Sequence, residues 1–208
     1  LVLLAPVVKF RQREARLLRR LRALPVFALA PQWVEKDGTE VAVGFGEGDI
    51  ALIHEAAKYL APVVPALVDA VYDNLFKFDA TKRHFVPQQH GFEGKAPADI
   101  RELTLAHDQI AFRKQHLTNY LVKLVTTPYD GKMLNYLDWV GRIHTAKAGN
   151  PAIVIPLVQI NALFGFVNDA LIGTIQGLDA PQGKKDAMVR SFTKLLWLQS
   201  DLFVRHYV

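Results

Sequence analysis

The chain has 208 residues, of which 50% are hydrophobic, and a formal net charge of +5. This length suits one domain with a sizeable core better than two. The chain contains no cysteine, which excludes disulfides, zinc fingers, iron–sulfur clusters and thiol nucleophiles as explanations of its function. The positive charge is concentrated near the start of the chain, so the remainder is nearly balanced and we expect no nucleic-acid partner.

Residues 1–45 are predicted to form a basic and partly extended N-terminal segment. Basic residues crowd the stretch Lys9–Arg22, and leucines share one helical face among them. We interpret this stretch as a solvated helix packed by its leucines. The alternative is an amphipathic helix that contacts an anionic membrane or a protein partner. Because the sequence begins with Leu1, we interpret its N-terminus as truncated or processed.

Residues 46–208 are predicted to form an all-α domain. Apolar residues recur at helical spacing along most of this range, and we find no alternation of strands and helices and no phosphate-binding loop. Asp49 is expected to cap the first helix, and prolines at 62 and 65 to kink or restart it. A loop is expected over 85–98, followed by a helix from about Asp99 to Val125.

One histidine stands out in the stretch Tyr136–Ala148, where we predict that a single helix runs through His144. Met133, Leu137, Val140 and His144 share one helical face, so the imidazole ends an apolar stripe. Gly141 lies one turn earlier and offers a flat patch where a bulky group can approach. A neutral imidazole in this setting suits a ligand to haem iron, whereas the simpler interpretation is a histidine packed in the core.

Two further helices supply residues that could enclose a flat cavity with this histidine. Tyr72 lies at the edge of an apolar stripe, and its phenol could donate a hydrogen bond to a diatomic ligand. His116 and Leu117 lie on the third helical region, where Arg113 and Lys114 are expected to point elsewhere. Core packing is the simpler interpretation of Tyr72 and Leu117 when each is considered alone.

Three stretches of the sequence resemble the protoglobins and the sensor globins of globin-coupled sensors. Residues 71–85 (VYDNLFKFDATKRHF) are similar to the segment that carries the family's helix-B tyrosine. Residues 129–144 (YDGKMLNYLDWVGRIH) resemble the approach to its proximal histidine, and residues 194–208 (KLLWLQSDLFVRHYV) its closing helix. The order and separation of these stretches also agree, and the resemblance covers roughly three quarters of the chain.

The resemblance implies a globin-like fold preceded by an additional N-terminal helical segment. It implies that His144 is the proximal haem ligand and the metal-binding residue, and that Tyr72 is the distal tyrosine. Leu117 would face the bound gas, or His116 if the alignment slips by one residue. The cofactor-binding set is therefore expected to comprise His144, Tyr72, His116, Leu117, Tyr120, Val140, Leu163, Phe164 and Val167.

Two departures from the family pattern lie on the distal side. Leucine and histidine stand where relatives often carry bulky aromatic residues, and Val71 replaces the tryptophan before the helix-B tyrosine. The family's ligand preference therefore does not transfer to this chain.

The resemblance implies a protein that binds haem b and takes up O₂, CO or NO reversibly, for sensing or protection. A haem enzyme, such as a nitric oxide dioxygenase or a peroxidase-like protein, is the first alternative, with His116 as acid and base. A helical interaction module without haem is the second, in which the basic N-terminal helix makes the contact. We further expect a homodimer through the C-terminal helices and a cytoplasmic location.

Overall fold

The computed structural model describes residues 43–148 and 150–207. The predicted basic helix at Lys9–Arg22 lies outside these residues. Within them the chain is helical and contains no strand, as the sequence predicts. The helices are α1 (Glu47–Leu60), α2 (Val64–Phe76), α3 (Asp79–Lys82), α4 (Asp108–Thr126), α5 (Gly131–Arg142), α6 (Leu157–Gln176) and α7 (Gln182–Val204). Short 3₁₀ turns at Ala61–Val63 and Arg83–Phe85 follow α1 and α3.

The first helix begins at Glu47 with Gly46 as its cap, so the prediction that Asp49 is the cap was wrong. Asp49 instead occupies the third helical position, where its carboxylate accepts a hydrogen bond from the Gly46 amide at 3.1 Å. The same carboxylate accepts hydrogen bonds from Ser191 at 2.8 Å and from Lys194 at 3.0 Å, both on α7. One acidic side chain therefore both starts α1 and ties it to α7.

The third helical region starts later than the sequence predicts. Residues 99–107 form turns, and α4 begins only at Asp108, because the His107 imidazole caps it by accepting from the Gln109 amide at 3.1 Å. The buried Gln109 side chain then donates to the carbonyl of Phe85 at 2.7 Å and accepts from the amide of Gln89 at 3.1 Å. These bonds anchor the long loop, residues 86–107, to the start of α4.

The core consists of two clusters of apolar side chains. The larger cluster packs α7 against α1, α5 and the end of α6, and contains Ile53, Met188 and Leu195 at its centre. The smaller cluster joins α2, α4 and α6 around Val71, Tyr72 and Ile110. Because α7 contributes buried residues along most of its length, it is the helix on which the rest of the domain packs.

Length and composition alone would allow two described helical stretches to cross a membrane, Glu47–Phe76 and Leu157–Gln176. The first of them contains the 3₁₀ turn at Ala61–Val63. Apolar core helices of a folded domain meet the same criterion, so this property is weak evidence for a membrane span.

Candidate functional site

The histidine singled out by the sequence lies just beyond the end of a helix. Helix α5 ends at Arg142 with Ile143 as its cap, so the prediction that a single helix runs through His144 was wrong. His144 occupies the turn that follows, where its amide donates to the Gly141 carbonyl at 3.2 Å. Its own carbonyl accepts from the Ile155 amide at 3.0 Å, which fixes the backbone on both sides of the imidazole.

The His144 imidazole is held by the last turn of α5. Its Nδ1 lies 2.7 Å from the Val140 carbonyl oxygen, and because a carbonyl can only accept, Nδ1 carries the hydrogen. None of the hydrogen bonds within residues 43–148 and 150–207 involves Nε2, which therefore keeps its lone pair. Burial lowers the pKa of His144 to about 4, although the bond to Val140 opposes this shift. The imidazole is therefore neutral at physiological pH, with Nε2 as a possible metal ligand.

The flat patch at Gly141 is covered by α7. A Cβ atom on Gly141 would lie 2.6 Å from the Leu202 carbonyl oxygen and 3.0 Å from the Phe203 Cα. The interpretation of Gly141 as an approach for a bulky ligand was therefore wrong, because the group that approaches is the backbone of α7. This close crossing brings the Phe203 ring to 5.0 Å from the His144 ring and to 5.3 Å, edge-on, from the Phe164 ring.

A second group of candidate residues lies in the smaller core cluster. Tyr72 on α2 is only 3% exposed, and its ring lies 5.5 Å from that of Phe85. Leu117 on α4, with Leu163 and Val167 on α6, packs partly buried against the same cluster. The structure therefore brings Tyr72 together with three of the apolar residues that the sequence assigned to the pocket.

Arg113 on α4 points into this region, so the expectation that it points elsewhere was wrong. It lies on the same face of α4 as Ile110, which packs in the cluster around Tyr72, and its positive charge acts to lower the pKa of Tyr72, His116 and His144. Burial raises the pKa of Tyr72, and the cation of Arg113 opposes that rise. Arg113 is the residue near the candidate site that the sequence analysis missed.

His116 and Tyr120 do not join the cluster around Tyr72. His116 is exposed, its ring lies 4.2 Å from that of Phe112, and partial desolvation lowers its pKa. The Tyr120 hydroxyl donates to the Gln199 side chain on α7, and the Tyr120 ring lies 6.1 Å from that of Tyr136. The sequence analysis left both His116 and Leu117 open as the residue that faces the bound gas. Of these two, Leu117 packs against the cluster that contains Tyr72.

The candidate site consequently has two walls. One wall contains His144, held by Val140 and packed on Phe203, which in turn contacts Phe164. The other wall contains Tyr72 with the apolar residues of α4 and α6. Among the described residues no group of three or more His, Asp or Glu side chains could hold a metal ion. A metal bound at the single His144 would therefore need its other ligands from a cofactor such as a porphyrin.

Comparison with known proteins agrees with this arrangement of helices. The protoglobin family model matches residues 39–208. The globin domain of the Geobacter sulfurreducens globin-coupled sensor is similar in structure, with a TM-score of 0.65 at 16% identity. That match covers 83% of this chain and 97% of the sensor's globin domain. No match was found among curated proteins.

The fold is thus that of a globin-type protein. The match over most of the sequence is more specific, and the chain belongs to the protoglobin family. The globin-like fold expected from the sequence is confirmed for the described residues.

Proposed function

We propose that this chain binds haem b through His144 and that the loaded protein binds O₂, CO or NO reversibly, for sensing or protection. The observation that carries the proposal is the neutral imidazole, whose Nδ1 donates to the Val140 carbonyl and whose Nε2 remains unengaged within the described residues. A backbone bond of this kind orients a metal-ligating histidine and selects the tautomer that binds through Nε2. Membership of the protoglobin family supports the same cofactor class.

The residues on both walls fit a porphyrin. Phe164, Leu163 and Val167 on α6 offer apolar side chains that protein contacts bury only in part. Apolar surface of this kind is what a porphyrin ring needs to leave water. When bound, ferrous haem supplies an iron centre that takes up a diatomic gas reversibly. His144 would hold the iron, while Phe203 keeps the imidazole in place.

The wall that contains Tyr72 would control the binding of the diatomic gas. The Tyr72 hydroxyl is a buried donor that can form a hydrogen bond with a polar diatomic ligand. Leu117, partly buried beside it, would limit the space available to that ligand. The exposed position of His116 lends no support to acid–base chemistry there, so the haem-enzyme alternative stays a prediction.

Titration of the purified apoprotein with haemin tests the proposal. We expect saturation at one haemin per chain and, after reduction, a Soret band that shifts on addition of CO. His144→Ala should abolish or strongly alter this spectrum, while His90→Ala serves as a matched control because His90 is an exposed histidine in the long loop. Equal spectra for the two variants, or no saturable haemin binding by the wild type, would contradict the proposal.

We also propose that two chains associate through α6 and α7 and that the protein is cytoplasmic. Val158 on α6 is 73% exposed and Trp197 on α7 is 66% exposed, and large exposed apolar side chains favour association. Trp197→Glu should shift the sedimentation coefficient from that of a dimer to that of a monomer. A wild type that is monomeric at high concentration would contradict the proposed dimer. Fractionation of cells tests the proposed cytoplasmic location.

A further inference from the structure

The wall that contains Tyr72, called here the distal wall, holds a cation that pairs with no carboxylate among the described residues. Arg113 takes part in none of the ion pairs among the described residues, and its Nε is buried without a hydrogen-bond acceptor. The next residue on α4 behaves differently, because the ammonium of Lys114 pairs with Asp69 at 2.7 Å. A buried donor on a charged group is costly unless an acceptor is supplied.

The position of Arg113 determines what that acceptor can be. Arg113 lies on the same face of α4 as Ile110, which packs in the cluster that contains Tyr72, and its positive charge acts to lower the pKa of Tyr72 and of His144. Two donors, the guanidinium and the phenol, therefore face the same region between the walls. A guanidinium forms charge-assisted hydrogen bonds with anions, and these are stronger than bonds between neutral groups.

We propose that Arg113 and Tyr72 together form a recognition site for a small inorganic anion on the Tyr72 side of the haem pocket. The inference rests on the proposed haem binding and deepens it, because it assigns the ferric protein a class of ligand beyond neutral gases. Arg113 supplies the positive charge and Tyr72 supplies a second hydrogen. Fluoride is the most direct probe, because it is small, anionic and a strong hydrogen-bond acceptor.

A haem propionate is the other anion that could satisfy Arg113. Propionates extend from the edge of the porphyrin, whereas Arg113 lies on the face of α4 that packs in the cluster of the 3%-exposed Tyr72, and its Nε is buried. A small anion within the pocket fits this burial better than a carboxylate at its rim. The two sources of negative charge can be separated by loading the protein with haemin or with haemin dimethyl ester.

The experiment is an optical titration of the ferric, haem-loaded protein with fluoride. Arg113→Met should raise the fluoride dissociation constant roughly ten- to hundredfold, the change expected on loss of a charge-assisted hydrogen bond. Lys123→Met is the matched control, since it removes the same charge from the same helix, where the ammonium lies 3.8 Å from the centre of the Tyr136 ring, and it should change the constant less than about threefold.

Two further variants keep the test decisive if Arg113→Met loses helical content. Arg113→Lys retains the charge without the planar fork and should weaken fluoride binding to an intermediate degree. Tyr72→Phe should weaken it as well, because one of the two hydrogen donors is removed.

Two results would overturn the inference while leaving haem binding intact. One is an unchanged fluoride affinity in a folded, haem-loaded Arg113→Met variant. The other is a loss of haem retention in that variant that haemin dimethyl ester reproduces in the wild type, with fluoride binding unaffected, which would assign Arg113 to a propionate. Failure of the wild type to bind haemin would instead contradict the proposed function itself.

Discussion

A Cβ atom on Gly141 would lie 2.6 Å from the carbonyl oxygen of Leu202, which is closer than two such atoms can approach. Glycine at this position therefore allows α7 to cross α5 at close range. The same crossing places Phe203 against the His144 ring, at 5.0 Å between ring centroids. Packing between two helices thus determines what surrounds the proposed iron ligand.

Gly141→Ala should destabilise the protein although alanine is the better helix former. The methyl group must displace the α7 backbone, and overpacking of this kind costs about 1–3 kcal/mol, against a gain of roughly 1 kcal/mol in helix propensity. We expect the free energy of unfolding in urea to fall by about 1–2 kcal/mol. Gly173→Ala on α6 is the control, because nothing lies within 4 Å of its Cβ position, and it should not destabilise.

Asp49→Ala should be costly because one carboxylate serves two helices. It removes the acceptor for the Gly46 amide at the start of α1 and for Ser191 on α7, and it leaves Lys194 with the Gly44 carbonyl, at 2.8 Å, as its remaining acceptor. Loss of the hydrogen bond that Asp49 makes with the cap residue Gly46, together with the charged hydrogen bonds to α7, is expected to lower the free energy of unfolding by about 2–4 kcal/mol. Asp69→Ala removes only the exposed pair with Lys114 and should cost less than about 1 kcal/mol in the same urea experiment. Similar losses in both variants would contradict the role assigned to Asp49.

The two buried tyrosines of the candidate set should respond differently to loss of the hydroxyl. Tyr120→Phe removes the bond to Gln199 between α4 and α7, so it should lower stability by about 1–3 kcal/mol and leave CO binding unchanged. Tyr72→Phe removes the donor on the distal wall, so O₂ should dissociate several-fold faster, while CO, a poorer hydrogen-bond acceptor, should respond less. Flash photolysis measures the ligand rates. Equal effects of the two substitutions on O₂ dissociation would contradict this division of roles.

His84 predicts a pH dependence of stability in the apoprotein. Desolvation by burial lowers its pKa, and its Nε2 is buried with no hydrogen-bond partner among the described residues. The unfolded chain therefore binds a proton at a higher pH than the native protein does, so stability falls as the pH drops below about 6.5. Urea titrations at pH 7.5 and pH 5.0 should show a smaller loss for His84→Gln than for the wild type. An identical loss would mean that other groups account for the pH dependence.

The sequence predicts the helical class because that class depends on local spacing, whereas the assignment of the candidate site residues depends on the resemblance to the protoglobins. Apolar residues at intervals of three and four locate most of α1, α2, α6 and α7, and the same spacing singles out His144. The helix boundaries near Asp99 and His144 could not be predicted equally well. They depend on the cap that His107 provides and on the turn after Arg142, and neither has a strong signal in the sequence.

Arg113 shows a different limit of sequence analysis. It lies three residues after Ile110 and four before Leu117, so its spacing already places it on the apolar face of α4. Charged residues are usually solvated, and that general rule favoured an outward side chain. Only the packing of α4 against α2 shows that the guanidinium lies beside Tyr72. The partner of Gly141 was equally inaccessible, because it is supplied by a helix some sixty residues further along the chain.

The bond between iron and the ring of His144 is tested most directly by replacing the imidazole with a soluble one. His144→Gly removes the ligand from the turn after α5, so the haem-loaded variant should lose the spectrum of a histidine-ligated protein. Added imidazole should restore that spectrum and the shift of its Soret band with CO, with saturable dependence on the imidazole concentration. A His144→Gly variant whose spectrum matches the wild type without imidazole would contradict the assignment of His144 as the ligand.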